Sequence, residues 1–302
     1  MNDTAKANLL KTILIIDGAY APSTIRAYKS NFEKFINYCE LHQANALPAS
    51  PETLSEFIKE LSDGRLRSAS IRITIASISA IHRLNRFDDP THDPMFKIEM
   101  RRMHRKLGRE SKQAYGITKD ILSKMLLSLD SDLKGTRDKA ILLLGYEGMC
   151  RRSELVSIRM NDIEIMCQED RIVDVKIKLN KSKTDQEGLG TWLQVGELSK
   201  YAIIKWLEKS QIKNGFLFRA INKSGGISES LTSPQINRIL KRVAIKAKLS
   251  DEIIRKISGH SMRVGAAQDL LRSGASLPML MQRGRWSKPD TVMRYVEFAH
   301  TI

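Results

Sequence analysis

Apolar residues recur every three or four positions through much of the chain, which is the spacing of one buried helix face. In residues 23 to 42, Ile25, Tyr28, Phe32, Phe35, Ile36 and Cys39 share such a face, and Ser23 or Thr24 is placed to cap its start. Ser50-Pro51-Glu52 opens a second helix over residues 51 to 62, a capping residue followed by proline at the first helical position. A stripe of Ile71, Ile75, Ile78 and Ile81 predicts a third helix over about 66 to 84, although β-branched residues are weak helix formers. A fourth is predicted from Pro94 to about Lys106. Residues 1 to 112 therefore read as an all-helical N-terminal domain.

The period fails between His104 and Thr118 and then resumes, with helices predicted from Thr118 to Leu129 and from about Arg137 to Tyr146. Further on it changes. Val173, Val175, Ile177 and Leu179 alternate with polar residues, the mark of a half-buried strand. Residues 191 to 195 supply a partner strand, and Asp185-Gln186-Glu187-Gly188 between them reads as a turn. Helices return at 197 to 209, at 234 to 248 (Ser233 as cap, Pro234 first) and at 259 to 273. The fold class is mainly α. Residues 113 to 302 form a second, mostly helical domain carrying one small antiparallel β-sheet, and no internal repeat is found.

Composition narrows the setting. Apolar residues at 42% and charged residues at 28% are those of a globular chain. The longest apolar runs, Ile13 to Ile16 and Ala140 to Leu144, fall far short of the ~20 residues of a membrane span. Asp3 and Asn8 interrupt the N-terminus, and no small-residue cleavage site follows an apolar stretch there, so a cytoplasmic location is expected. Cys39, Cys150 and Cys167 have neither C-x-x-C spacing nor flanking histidines, so they are expected as plain thiols and no metal site is expected.

Charge changes the picture more. Fifty Lys and Arg against 34 Asp and Glu leave a net charge of +16, which favours a polyanionic partner, with nucleic acid ahead of an anionic membrane. The excess is concentrated in residues 97 to 112. There Lys97, Arg101, Arg102, Arg105, Lys106, Arg109 and Lys112 face only Glu99 and Glu110, at the boundary between the two expected domains. Such a run is either a solvated face or a linker that tracks phosphates; Arg101, Arg102, Arg105, Lys106, Arg109 and Lys112 are the candidate DNA contacts.

Three segments carry candidate chemistry. In Arg151-Arg152-Ser153-Glu154, the three-residue offset lets the Glu154 carboxylate orient Arg151 on a helix, though such pairs are common on surfaces. In Ser258-Gly259-His260-Ser261-Met262-Arg263-Val264-Gly265, His260 and Arg263 share one face, and the small residues after them let another backbone approach; the pair suits an anion. Gly284-Arg285-Trp286 is followed by Tyr295 in Val292-Met293-Arg294-Tyr295-Val296. Taken singly, each has an ordinary structural reading.

Their order is more telling. Arg151, then Lys183 in a strand-turn-strand, then His260-x-x-Arg263, Trp286 and Tyr295 resembles the tyrosine recombinase (phage integrase) family over about residues 140 to 296. The N-terminal part is similar in type only, a helical DNA-clamping domain of SAM-like kind. The resemblance implies a bacterial, nucleoid-associated site-specific recombinase that cuts and rejoins double-stranded DNA. Tyr295 would be the nucleophile, forming a 3′-phosphotyrosyl bond. Arg151 and Arg263 would bind the nonbridging oxygens, with Glu154 supporting. His260 would add a donor or manage a proton, Lys183 would protonate the leaving 5′-hydroxyl, and Trp286 would pack the site. It further implies a homotetramer working through a Holliday junction, and no cofactor, since the new ester is similar in energy to the bond broken. Only residues 296 to 302 follow Tyr295, so a short subunit contact is expected there in place of the longer docking helix of several relatives. The alternatives are a type IB topoisomerase or telomere resolvase with the same residues, and a DNA-binding regulator that keeps the fold without the reaction.

Overall fold

A computed structural model describes residues 2–64, 66–109, 113–169, 171–180 and 190–296. The chain divides into two compact units, Met1–Lys112 and Gln113–Ile302.

The first unit contains five α-helices among its described residues: α1 (Asp3–Ile16), α2 (Pro22–Leu41), α3 (Pro51–Asp63), α4 (Ser68–Leu84) and α5 (Pro94–Leu107). The helix stripes meet as the periodicity requires. Phe32, Phe35, Ile36 and Cys39 of α2 pack with Leu54, Phe57 and Ile58 of α3 and with Ile71, Ile78 and Ile81 of α4. His82 is fully buried in this core, where its Nε2 accepts from the Ala49 amide (3.0 Å) and its Nδ1 bonds the Ile78 carbonyl (2.9 Å). That arrangement fixes the neutral ring with its proton on Nδ1.

Ser50 caps α3 through the Thr53 amide, as expected. The start of α2 differs. Neither Ser23 nor Thr24 caps it; Ala21 precedes Pro22 at the first position, and no side chain accepts there. A rigid proline φ sets that helix start without a cap. Helix α1 lay outside the predicted elements, because its buried face is only Ala5, Leu9, Thr12 and Ile16.

In the second unit the described helices are α6 (Lys119–Leu127), α7 (Leu133–Glu147), α8 (Arg152–Ser157), α9 (Glu197–Ser210), α10 (Ser233–Lys246), α11 (Asp251–Lys256), α12 (Ser261–Arg272), α13 (Leu277–Gly284) and α14 (Pro289–Val296). An antiparallel sheet of order β1-β2-β3 joins β1 (Ile163–Gln168), β2 (Arg171–Leu179) and β3 (Thr191–Trp192). The partner strand predicted over 191 to 195 is thus only two residues long, and the sheet gains β1 on its other edge. Thr232, not Ser233, stands at the N-cap of α10, in a capping box with Gln235. Ser233 is already helical.

The core of this unit is built on α7, whose Ile141, Leu142 and Leu144 are fully buried with Trp206 of α9 and Ile177 of β2. Helix α12 is held against it closely. Gly145 of α7 leaves room for the Met262 thioether, and a Cβ at Gly265 would overlap the Ile117 carbonyl of the segment crossing α12. That segment is pinned there by the Ile117 amide donating to the Ser261 carbonyl (2.9 Å). The small residues after Arg263 do admit another backbone.

Candidate active site

Helix α7 ends at Glu147, and the turn through Gly148, Met149 and Cys150 delivers Arg151 to the start of α8. Met149 takes a left-handed backbone (φ 46°), which reverses the chain tightly there. Glu154, in the first turn, then reaches back to Arg151, the N-cap residue. Its Oε2 accepts the Arg151 amide (2.8 Å), and its Oε1 accepts from Arg151 Nη1 (2.6 Å). The pairing inferred from the three-residue offset is present, with Arg151 at the cap rather than inside the helix.

Burial works against the ionised Glu154, yet the charge of Arg285 and the bonds from Arg151 hold its carboxyl below the ordinary range. Arg151 keeps partial exposure. It lines a cavity together with Arg152, Ser153, Ser258, Gly259 and His260.

His260 occupies the N-cap of α12 and Arg263 its first turn. Arg263 is fully buried. Its Nη1 donates to the Met149 carbonyl (2.9 Å), its Nη2 donates to the Gly284 carbonyl, and its guanidinium lies 4.5 Å from the centre of the Trp286 ring. Among the described residues the Nε–H has no acceptor and no carboxylate forms an ion pair with this arginine. Burial and the charges of Arg151 and Arg285 pull its pKa down to about 10, so it stays protonated at neutral pH.

Gly284 permits the next step of the chain, because a Cβ there would overlap the Trp286 indole. Arg285 takes a left-handed conformation (φ 52°) and turns the chain into the segment that leads to α14. Tyr295 lies in α14, only 7% exposed, its ring 5.2 Å from that of Trp286. The ring joins an apolar cluster with Val264, Ala267, Leu280 and Val292, while the hydroxyl points out of it to His260, 2.6 Å from Nε2. Burial, then Arg263 and Arg151, lower the His260 pKa to about 4. At neutral pH this imidazole is uncharged and able to accept a proton.

The structure therefore gathers Arg151, Glu154, His260, Arg263, Trp286 and Tyr295 into one region. Lys183 falls outside the described residues, as does Lys112. Arg101, Arg102, Arg105 and Lys106 sit on α5, in the first unit, and are exposed. Helix α5 covers the segment predicted as helical from Pro94 to about Lys106; Arg109 follows the helix, also exposed. Arg102 pairs with Glu99 (2.9 Å) and Lys106 with Asp63. Sequence reasoning passed over Arg285, whose Nη2 donates to Glu154 Oε2 (2.9 Å) across 131 positions of chain. Its one local signal was its place between a glycine and a tryptophan. Among the described residues no helix is long and apolar enough to cross a membrane, and no group of three His, Cys, Asp or Glu side chains is placed to hold a metal ion.

Comparison with known proteins assigns this geometry to a family. Residues 116–301 match the phage integrase family, and residues 8–87 match the phage integrase N-terminal SAM-like domain. The chain belongs to the phage integrase family of tyrosine recombinases. It is 30% identical over 300 residues to an integrase/recombinase xerD homolog of Selenomonas ruminantium, spanning 95% of this chain and 85% of that one. It is 26% identical over 294 residues to the recombinase cre of Escherichia phage P1, spanning 92% and 84%. Among solved structures, the Tn1549 transposon integrase in complex with transposon right end DNA is similar in fold, with a TM-score of 0.66 at 14% identity over 95% of this chain and 93% of that one.

Proposed function

We propose that this protein is a site-specific recombinase that cleaves and rejoins double-stranded DNA through a 3′-phosphotyrosyl bond at Tyr295. The observation that carries the reading is the 2.6 Å contact between the Tyr295 hydroxyl and a neutral His260, set beside a buried guanidinium that has no carboxylate ion-pair partner among the described residues. A buried cation lacking a counter-charge is costly, and an incoming phosphate supplies that charge.

The chemistry follows from the atoms. His260 Nε2 takes the phenolic proton as the Tyr295 oxygen attacks phosphorus; the bond from phosphorus to the 5′-oxygen breaks, and that oxygen leaves on the departing strand. Arg151, oriented by Glu154, and Arg263 face the growing charge on the nonbridging oxygens. Three of the five Arg263 N–H groups remain beyond the two that hold main-chain carbonyls. Trp286 packs both the Arg263 guanidinium and the Tyr295 ring, so it sets their separation. Lys183 is assigned the protonation of the 5′-oxygen by its place in the family order. Attack of a 5′-hydroxyl from a partner strand on the phosphotyrosyl bond reverses the step, and two rounds pass through a Holliday junction.

In this reading residues 1–112 are the DNA-binding domain and residues 113–302 the catalytic domain. The exposed cations Arg101, Arg102, Arg105, Lys106 and Arg109, with Lys112, contact the phosphate backbone. A homotetramer holds two sites. The test begins by selecting duplexes bound by the Tyr295→Phe variant from a random library. A nicked duplex carrying the selected site should then trap a covalent protein–DNA adduct with the wild type and none with Tyr295→Phe. A plasmid with two such sites should yield deletion or inversion products; relaxation alone would indicate a topoisomerase, and binding without any adduct a regulator.

A further inference from the structure

Arg285 is the buried charge that the reaction scheme leaves without a role. Its side chain is 10% exposed, and its guanidinium makes contacts that no other residue of the site combines. Nη1 donates to the Gly148 carbonyl (3.0 Å); Nη2 donates to the Met149 carbonyl (3.1 Å) and to Glu154 Oε2 (2.9 Å). The Met149 carbonyl is the same one that accepts from Arg263 Nη1, and Glu154 is the carboxylate that holds Arg151 by its amide and its Nη1. One guanidinium thus touches an atom shared with each of the two anion-binding arginines.

Two of these contacts have a plain structural meaning. A cation on the carbonyls that follow α7 caps that helix, as basic residues at C-termini often do. Capping does not account for the third. A carboxylate paired with a single arginine cancels that arginine's charge at a distance, and Arg151 with Glu154 alone would present little field to a phosphate. With Arg285 on the other carboxylate oxygen, the trio keeps one net positive charge. Arg285 also stands at the start of the segment that runs through Trp286 to Tyr295, so its bonds tie that segment to the turn before α8. Its left-handed backbone aims the side chain at that turn, and an L-residue is kept there despite the strain.

We propose that Arg285 is a positioning residue for DNA cleavage. It fixes Glu154 and the Met149 carbonyl, and through them it registers Arg151 and Arg263 against the Tyr295 segment and leaves Arg151 a net charge to offer the scissile phosphate. The proposal rests on the recombinase reading.

The test uses the full chain as wild type, Arg285→Met and Arg285→Lys, with the nicked duplex probe described above. The single-turnover rate of adduct formation on pre-bound DNA is followed against pH, and thermal unfolding without DNA is followed over the same range. Arg285→Met should slow cleavage by about 100-fold, the scale expected for sub-ångström to ångström misplacement of reacting groups. Its acid limb should move to higher pH, because buried Glu154 loses its strongest counter-charge and protonates earlier. Arg285→Lys keeps the charge but lacks the fork, so the rate should fall while the acid limb stays where the wild type has it. A rate for Arg285→Met within twofold of wild type would overturn the proposal, as would a slower rate with an unmoved acid limb and merely lower thermal stability. If Arg285→Met does not fold, Arg285→Lys decides: a tenfold slower rate at wild-type stability supports the role, and an unchanged rate removes it. Absence of adduct with the wild type itself would bring down the recombinase reading, and this inference with it.

Discussion

In the first unit, Arg101 and Arg105 of α5 stand in solvent beside a core of phenylalanine and isoleucine; in the second, Arg137, Arg263 and Arg285 are largely or wholly removed from water. The buried arginines differ again among themselves. Arg137 and Arg242 both bind Asp138, so the buried cation of that cluster has a carboxylate directly against it. Arg263 has two carbonyls and an indole face for company, and among the described residues no carboxylate pairs with it. Exposed cations draw a polyanion toward the surface and are screened within about 8–10 Å at ordinary ionic strength. A buried, uncompensated one waits for a specific anion and fixes where it must sit. The first unit's charge is therefore suited to capture, and that of the second to chemistry.

Replacing Arg263 should separate these roles most sharply. Arg263→Met is expected to slow adduct formation by about 10²–10³-fold, the scale seen when one donor to a developing oxyanion is removed, in single-turnover trapping assays. It also leaves the Gly284 carbonyl without this donor and should lower stability by about 1–3 kcal/mol in denaturant titrations. If cleavage were unaffected, the buried cation would be structural and the comparison would lose its meaning.

Gly265→Ala tests the scaffold that presents His260 and Arg263. The new Cβ meets main chain at Ile117 and Thr118, which cannot step aside as a side chain could. A destabilisation of about 3 kcal/mol, at the upper end of overpacking costs, is expected in chemical unfolding. Gly274, whose Cβ would meet open space, carries no packing penalty, so Gly274→Ala isolates the backbone strain of a left-handed residue.

Acidification should weaken the second unit through His260. Its folded pKa of about 4 lies below the unfolded value of about 6.5, so between those values the unfolded chain takes up a proton that the folded chain refuses. Stability should fall from about pH 6.5 downward, with the loss complete near pH 4 and on the order of 3 kcal/mol. His82 in the first unit is shifted down by burial too and adds to the same slope. The His260→Asn variant should show a shallower decline than wild type in pH-dependent unfolding, and an equal slope would contradict the shift.

The smallest effect belongs to α5. Arg101→Gln with Arg105→Gln should change folding stability by no more than about 0.5 kcal/mol, since both side chains stand exposed. If they touch phosphates, each lost contact should reduce the salt dependence of DNA affinity by roughly one unit of slope. Unchanged salt dependence would return the pair to a solvated face.

The same contrast governs how much was legible in the residues. Helices with a wide apolar stripe, such as α2 and α4, announced themselves, because a period of three to four is imposed by burial on one side. Helices α11, α13 and α14, of six or eight residues, were invisible because so short a segment offers no full period. Strand β1 was missed for a related reason: only Ile163 and Ile165 are even partly buried along it. At the site, Arg151 with Glu154 and His260 with Arg263 could be paired from three-residue offsets, since one helical turn sets those distances. What joins them could not. The His260 contact with Tyr295 spans 35 positions and the Arg285 contact with Glu154 spans 131, and no local spacing rule reaches so far. Arg285 looked like one more basic residue in a chain with an excess of them.

The central claim, that Tyr295 attacks DNA from a pocket built around a buried cation, is most directly tested by peptide mapping of the trapped adduct. After exhaustive nuclease and protease digestion of the wild-type complex on the nicked duplex, mass spectrometry should find a nucleotide esterified to Tyr295. Modification at any other residue, or an adduct that survives Tyr295→Phe, would contradict it.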